Sequence, residues 1–223
     1  MLLQVNSLNK IYERGQETFY AVKDVDLAVK KGDFISITGR SGSGKSTFLN
    51  MLTGFLLPSS GSIQFDNLDI FSLDDERIST LRNSRFGYIP QGSGLLGNLT
   101  VFDNIRLPFY LDSHEGDISD RAAFLLEEIK LAHLANMYPA NLSGGELRRI
   151  MIARALINSP DILIADEPTS DLDVETTKVI MDLFMRINKK GTTIIIVTHE
   201  HSTLVCGNRV LVMKEGRLLE NSN

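Results

Sequence analysis

Residues 34–47 read FISITGRSGSGKST, and this stretch decides the fold. The apolar run FISIT leads directly into a loop in which Gly39, four further residues, Gly44, Lys45 and Ser46 match the spacing G-x-x-x-x-G-K-[ST]. FLNMLTGFLLP follows, a short helical segment closed near Gly54 and Pro58. A strand, a small-residue loop and a helix start in that order converge backbone N–H groups and the positive helix end on one point, an arrangement suited to phosphate oxygens. Lys45 is placed to neutralise β and γ phosphates and the Ser46 hydroxyl to ligate Mg²⁺. Arg40, Ser41, Gly42, Ser43 and Thr47 complete the expected cradle.

Two further segments carry groups that suit phosphate chemistry. ILIADE ends an apolar run with Asp166 and Glu167, at the strand end where sheets of α/β proteins meet ligands. One carboxylate can serve the Mg²⁺ shell, and its neighbour can polarise water for in-line attack on a γ-phosphate. Taken alone, such a pair is more often a helix cap or a solvated turn; beside the glycine loop the balance reverses. TIIIVTHE ends a second apolar run with His199, which can hydrogen-bond a γ-phosphate. His114, His133 and His201 are expected to be structural.

Outward from these segments, LLQVNSL, AVKDVDLAV and SIQFDNLDI alternate in strand fashion, giving a β-rich start. From about Asp112 to Met137 the chain turns helical, with DSHEGD as an exposed loop, Ser119 as N-cap, and Ala122, Leu125, Leu126 and Ile129 as the apolar face. NLSGGELRRIMIARAL begins a Ser-capped helix whose arginines are expected toward solvent or phosphate. ILIA and TIIIV, apolar throughout and rich in β-branched residues, suit central strands of a parallel sheet covered on both faces. RVLVMKEGRLLE reads as a closing hairpin with a Glu-Gly turn.

Composition narrows the function classes. A chain of 223 residues, 43% apolar, can bury a full core. A net charge of −5 lacks the basic footprint of a protein that grips nucleic acid. The single Cys206 permits no internal disulfide, and MLLQVNSLNK is too polar for a signal peptide, so the cytoplasm is the expected compartment. No apolar run approaches the roughly 18–20 residues needed to span a bilayer.

Taken in order, GRSGSGKST, Gln91 in FGYIPQ, LSGGE, ILIADEP, Ser170-x-Leu172-Asp173 and IVTHE resemble the ABC-type ATPases over nearly the whole chain. The resemblance is closest to the lipoprotein-release and macrolide-export (LolD/MacB-like) subgroup, through IYERGQETFYAVKDVDL, SGSGKSTFLNMLTG and LTVFDNIRLP. It implies an α/β P-loop fold with a RecA-like parallel core, an antiparallel β subdomain and a helical subdomain. Residues 1–90 and 160–223 would form the core with the β subdomain, and about 91–159 the helical part. It further implies ATP and Mg²⁺ as ligands, with an ATP-dependent head-to-tail homodimer driving a separate transmembrane permease from the inner face of the cell membrane.

By the same resemblance, Tyr12 matches the aromatic that stacks on adenine, although alone it would read as a half-buried strand tyrosine. Gln91 matches the residue touching Mg²⁺ and the attacking water, Glu167 the catalytic base, Asp166 the Mg²⁺-associated acid, and His199 the switch histidine. Ser143, Gly144, Gly145 and Glu146 match the signature that faces the nucleotide of the opposite subunit, and Asp173 the loop aspartate that contacts that subunit. Leu95, Leu96 and Leu99 are either permease contact or ordinary core. Two departures stand out: Glu146 replaces the commoner Gln, and Asp171 stands where a small or amide residue is usual. The competing class, a permease-free ABC ATPase acting on nucleic acid or ribosomes, would bring a long coiled-coil insertion or a second ATPase domain, and neither occurs here.

Overall fold

The computed structural model describes residues 1–15, 17–92, 94–111, 116–199 and 207–220. His114, His201 and Cys206, singled out in the sequence, lie outside them. An antiparallel sheet is built from β1 (Leu3–Arg14), β2 (Glu17–Val29), β4 (Ser60–Phe65) and β5 (Leu68–Asp69), in the order β2-β1-β4-β5. The second sheet contains β3 (Phe34–Thr38), β6 (Phe86–Ile89), β7 (Ile162–Asp166), β8 (Thr193–Thr198), β9 (Arg209–Lys214) and β10 (Arg217–Glu220), in the order β10-β9-β3-β8-β7-β6. Its pairings are parallel except for the β9–β10 hairpin, whose Glu215 and Gly216 both have positive φ as its tight turn requires.

The apolar strands occupy the middle of this sheet, where every residue of β3, β7 and β8 is buried. Alternation sends their side chains into two different cores. Ile35, Ile37, Ile164, Ile195 and Val197 pack with Phe48 and Leu49 of helix α1 (Lys45–Leu52) and with Leu3, Val5 and Leu8 of β1. Phe34, Leu163, Ala165, Ile194 and Ile196 pack instead against helices α5 (Gly144–Ala155) and α6 (Val174–Lys189), through Ile150, Met151, Ile180 and Phe184. Strands so placed bury both faces, which is why FISIT and TIIIV show no polar alternation. The glycine loop leaves the C-terminal end of β3, and Glu167 and His199 follow the ends of β7 and β8, neighbours in the same sheet.

Among the described residues, helices α2 (Asp75–Arg85), α3 (Val101–Leu111) and α4 (Ser119–Glu128) complete the regular helices. The helical stretch expected from about Asp112 begins earlier, with α3 at Val101, and no element expected from the sequence corresponds to α2. The reason is composition: in DERISTLRNSR only Ile78 is buried, so α2 presents no apolar stripe, and Asp74 at its N-cap is the main signal. Ser119 is not a cap. It is the first helical residue, and its backbone N–H donates to Oδ1 of Asp117 at 2.8 Å. Ala122, Leu125, Leu126 and Ile129 do form the buried face. Among the described residues no helix is long and apolar enough to cross a membrane.

Candidate functional site

The loop between β3 and α1 is held open by glycine where side chains cannot fit. Gly42 and Gly44 have φ of 78° and 103°, and a Cβ at Gly44 would lie 2.0 Å from the carbonyl oxygen of Ala21. At Gly39 the same atom would lie 2.3 Å from the carbonyl oxygen of Met213. The loop is thus pressed between β2 and β9. Lys45, only 7% exposed, donates from Nζ to the carbonyls of Gly39 and Arg40 at 2.8 and 3.0 Å.

A cavity of about 600 Å³ joins this loop to the strand ends. Lys45, Ser46 and Thr47 line it together with Gln91, Glu167 and His199, and Tyr12 stands at its outer rim. Phe19, Tyr20 and Ala21 share that rim, and the ring of Phe19 lies 5.7 Å from that of Tyr12, tilted by 32°. Sequence reasoning missed Phe19 and Tyr20. Their signal was the hairpin register, which pairs Arg14 with Glu17 and therefore Tyr12 with Phe19.

Asp166, the last residue of β7, is 4% exposed, and the Ser46 hydroxyl bonds to its carboxylate. Burial raises its pKa, the charge of Glu167 adds to this, and Ser46 and Lys45 oppose it. Its Oδ1 is buried with no hydrogen-bond partner among the described residues. A buried carboxylate oxygen without a partner, beside a serine hydroxyl, fits a hard divalent cation with oxygen ligands. Glu167 is also buried and takes a positive φ of 50°, which swings its carboxylate from the strand direction toward His199. Oε2 of Glu167 lies 2.7 Å from Nδ1 of His199 and accepts the His199 backbone N–H at 3.3 Å.

Ser143, Gly144, Gly145 and Glu146 do not line this cavity. Ser143 caps α5, and Glu146 closes a capping box: its Oε2 accepts the Ser143 N–H at 2.7 Å and the Ser143 hydroxyl at 2.8 Å. Asp173 likewise caps α6, accepting the N–H of Thr176 at 2.9 Å and its hydroxyl at 2.7 Å. The expectation that the α5 arginines face solvent or phosphate is overturned. Arg148 is buried, Arg149 donates to the carbonyl of Ile129 at 3.0 Å, and Arg154 donates to that of Gly94 at 2.6 Å. Long aliphatic stems let arginine cover apolar surface while its head finds backbone carbonyls, which residue type alone does not reveal. Of the three leucines, Leu95 is partly buried in the helical core and Leu99 half-buried, whereas Leu96 is exposed.

A family model for ABC transporters matches residues 22–170. The chain belongs to the ABC transporter family. The lipoprotein-releasing system ATP-binding protein LolD of Buchnera aphidicola is 39% identical across all of this chain and 98% of its own. The macrolide export ATP-binding/permease protein MacB of Neisseria meningitidis is 36% identical across all of this chain, which spans 35% of MacB. A dimeric structure of the cassette MJ0796 of Methanocaldococcus jannaschii, bound to ADP and Pi, superposes with a TM-score of 0.89 at 36% identity, covering 97% of this chain and 96% of that one. As an ABC ATPase of the LolD/MacB-like kind, the chain binds ATP and hydrolyses it to power transport.

Proposed function

We propose that this ABC ATPase closes head-to-tail as a homodimer over two ATP molecules and so drives a separate transmembrane permease, for export or extraction of a lipophilic substrate, a peptide or a lipoprotein. The observation that carries the reading is a division within the chain. One cavity gathers Tyr12, Lys45, Ser46, Gln91, Glu167 and His199, while the signature helix start at Ser143 lies outside it. A helix N-terminus of this kind is an anion site without its anion in the same chain, and a second subunit in opposite orientation brings the two together.

Within each site, Tyr12 and Phe19 offer a stacking face for adenine, and the N–H groups of residues 39–47 with Lys45 hold the phosphates. Ser46, Gln91 and Asp166 would hold Mg²⁺, and the ion would supply charge neutralisation at the β and γ phosphates. Glu167 takes the proton of the attacking water, and His199 fixes the carboxylate and senses the γ-phosphate. Ser143, Gly144 and Gly145 of the opposite subunit complete the γ-phosphate contacts, and Asp173 stands at the subunit boundary.

An open groove of about 440 Å³ between the sheet edge and α3, lined by Phe55, Tyr88, Leu107, Pro108, Leu111 and Ile157, supports a permease partner. Phe55 and Leu111 are 58% and 72% exposed there, an apolar rim for a membrane protein's cytoplasmic segment. On this reading the subunit works from the inner face of the membrane, bound to the permease. The test is Glu167→Gln in the purified chain. With Mg²⁺ and ATP it should elute as a dimer and release no phosphate, while the wild type turns over; a monomer with bound ATP would overturn the composite site.

A further inference from the structure

Helix α5 carries three side chains with no part in the site described so far. Arg148, Met151 and Arg154 recur every three residues and meet the loop that leaves β6. Nη1 of Arg148 donates to the carbonyls of Pro90 and Gly92, both at 3.4 Å. Nη1 of Arg154 donates to the carbonyl of Gly94 at 2.6 Å, and the N–H of Gly94 points at Sδ of Met151 at 3.2 Å. These backbone groups flank Gln91. Arg148 and Met151 are 7% and 2% exposed, so the grip is a packed one and not a surface contact.

The start of the same helix is seated just as closely on the chain that follows Glu167. A Cβ at Gly145 would lie 2.6 Å from Cγ2 of Thr176, and one at Gly144 would lie 3.5 Å from Cδ2 of Leu172. Burial lowers the pKa of Arg148, and the nearby charge of Asp171 raises it. Asp171, unusual at its position, therefore favours the charged guanidinium that the two carbonyls need.

We propose that Arg148, assisted by Met151 and Arg154, is a positioning residue that ties the Gln91 loop to the signature helix, so that the orientation of α5 sets where Gln91 stands in the ATP site. The proposal rests on the reading of Gln91 as part of that site. Its physical basis is the number and placement of the bonds: carbonyls at 90, 92 and 94 and one N–H at 94 are all held by a single helix. A change in the angle of α5, at whose N-terminus Ser143 waits for the opposite nucleotide, is thereby carried to Gln91 through backbone contacts.

The test is Arg148→Met in the full chain, which keeps the apolar stem and removes the donors. Because nucleotide is held by other residues, KM for ATP should stay within about twofold while kcat falls about tenfold or more. A merely structural role would lower the melting temperature and leave kcat per folded molecule unchanged. The deciding measurement is a double-mutant cycle with Gln91→Ala, in whose background Arg148→Met should cost less than about twofold. A full additional loss there, or a single variant within twofold of wild type, overturns the proposal. If Arg148→Met fails to fold, Arg148→Lys and the volume-conserving Met151→Leu enter the same cycle. Each should lower kcat several-fold beside an intact Gln91 and have little effect beside Ala. Undiminished turnover in Gln91→Ala alone would count instead against the reading of Gln91, and an inactive wild type against the ATPase reading.

Discussion

Glu167 and His199 are joined at one atom: Oε2 of the carboxylate lies 2.7 Å from Nδ1 of the imidazole and also accepts the His199 backbone N–H. The pair comes from the ends of adjacent parallel strands, with Ala165 opposite Ile196 and Asp166 opposite Val197 in register. The Glu167 N–H closes the arrangement by donating to the carbonyl of Val197 at 2.9 Å. A carboxylate held at one oxygen keeps a fixed direction toward the cavity that it lines.

His199→Ala should therefore damage chemistry more than binding. We expect kcat to fall about a hundredfold, within the range of a lost positioned acid–base partner. ATP affinity should change by less than about threefold, because the phosphate loop and aromatic rim remain. Steady-state phosphate release alongside binding of a fluorescent ATP analogue separates the two, and an equal loss in both would refute the assignment.

At the rim, Tyr12→Ala and Phe19→Ala address the stacking face. Base–aromatic stacking contributes about 1–3 kcal/mol, so Tyr12→Ala should weaken ATP binding by about fivefold or more. Phe19, ring against ring with Tyr12, should show a smaller loss of the same kind. Because triphosphate contacts are untouched, inorganic pyrophosphate should compete equally well in all three proteins. Titration calorimetry measures this directly, and unchanged ATP affinity in Tyr12→Ala would remove the aromatic face from the site.

Several parts of this molecule were legible in the residues and others were not, for physical reasons. FISIT, ILIA and TIIIV announced buried parallel strands because strands covered on both faces must be apolar throughout. The glycine spacing announced the loop because few other residues tolerate its φ angles or its 2.0 Å approach to Ala21. Helix α2 stayed hidden because it buries a single residue, Ile78. Phe19 stayed hidden because its role comes from the partner strand. The arginines of α5 were misread because charge in a sequence suggests water, whereas here carbonyls of Ile129 and Gly94 take its place. Asp173 was legible only as one of two roles, and its cap on α6 is the role visible within one subunit.

The capping box predicts a pH dependence. Hydrogen bonds from the Ser143 backbone and hydroxyl lower the pKa of Glu146 below its ordinary 4.5. The folded state then binds fewer protons than the unfolded state between the two pKa values, so the stabilisation is present above about 4.5 and lost as pH falls through the folded value. Glu146→Ala should melt about 2 °C below wild type at pH 7, the scale of a cap in a chain this long. The gap should close below the ordinary glutamate range. Thermal melts from pH 3 to pH 8 read the effect, and a gap independent of pH would exclude the carboxylate as its cause.

The division of the site between two chains gives the last prediction. Ser143→Arg places a bulky cation at the start of α5, away from the cavity that Tyr12, Lys45 and Glu167 line, so ATP affinity of the isolated chain should stay within about threefold. Hydrolysis should fall by about a hundredfold or more, because a γ-phosphate donor is lost from the opposite subunit's site. Lys45→Ala should do the reverse in its own cavity and abolish tight ATP binding. Mixing the two inactive proteins discriminates further. A Ser143→Arg chain and a Lys45→Ala chain, paired head-to-tail, assemble one site with an intact Lys45 and an intact Ser143, and a second site lacking both. About half of the protein in an equal mixture pairs in this way if the chains exchange freely, so part of the wild-type turnover should return on mixing. Titrating one variant against the other and following phosphate release measures it. Recovery that peaks near equal amounts requires a composite site, whereas a mixture as inactive as its components would mean that each chain hydrolyses ATP with its own residues alone or not at all.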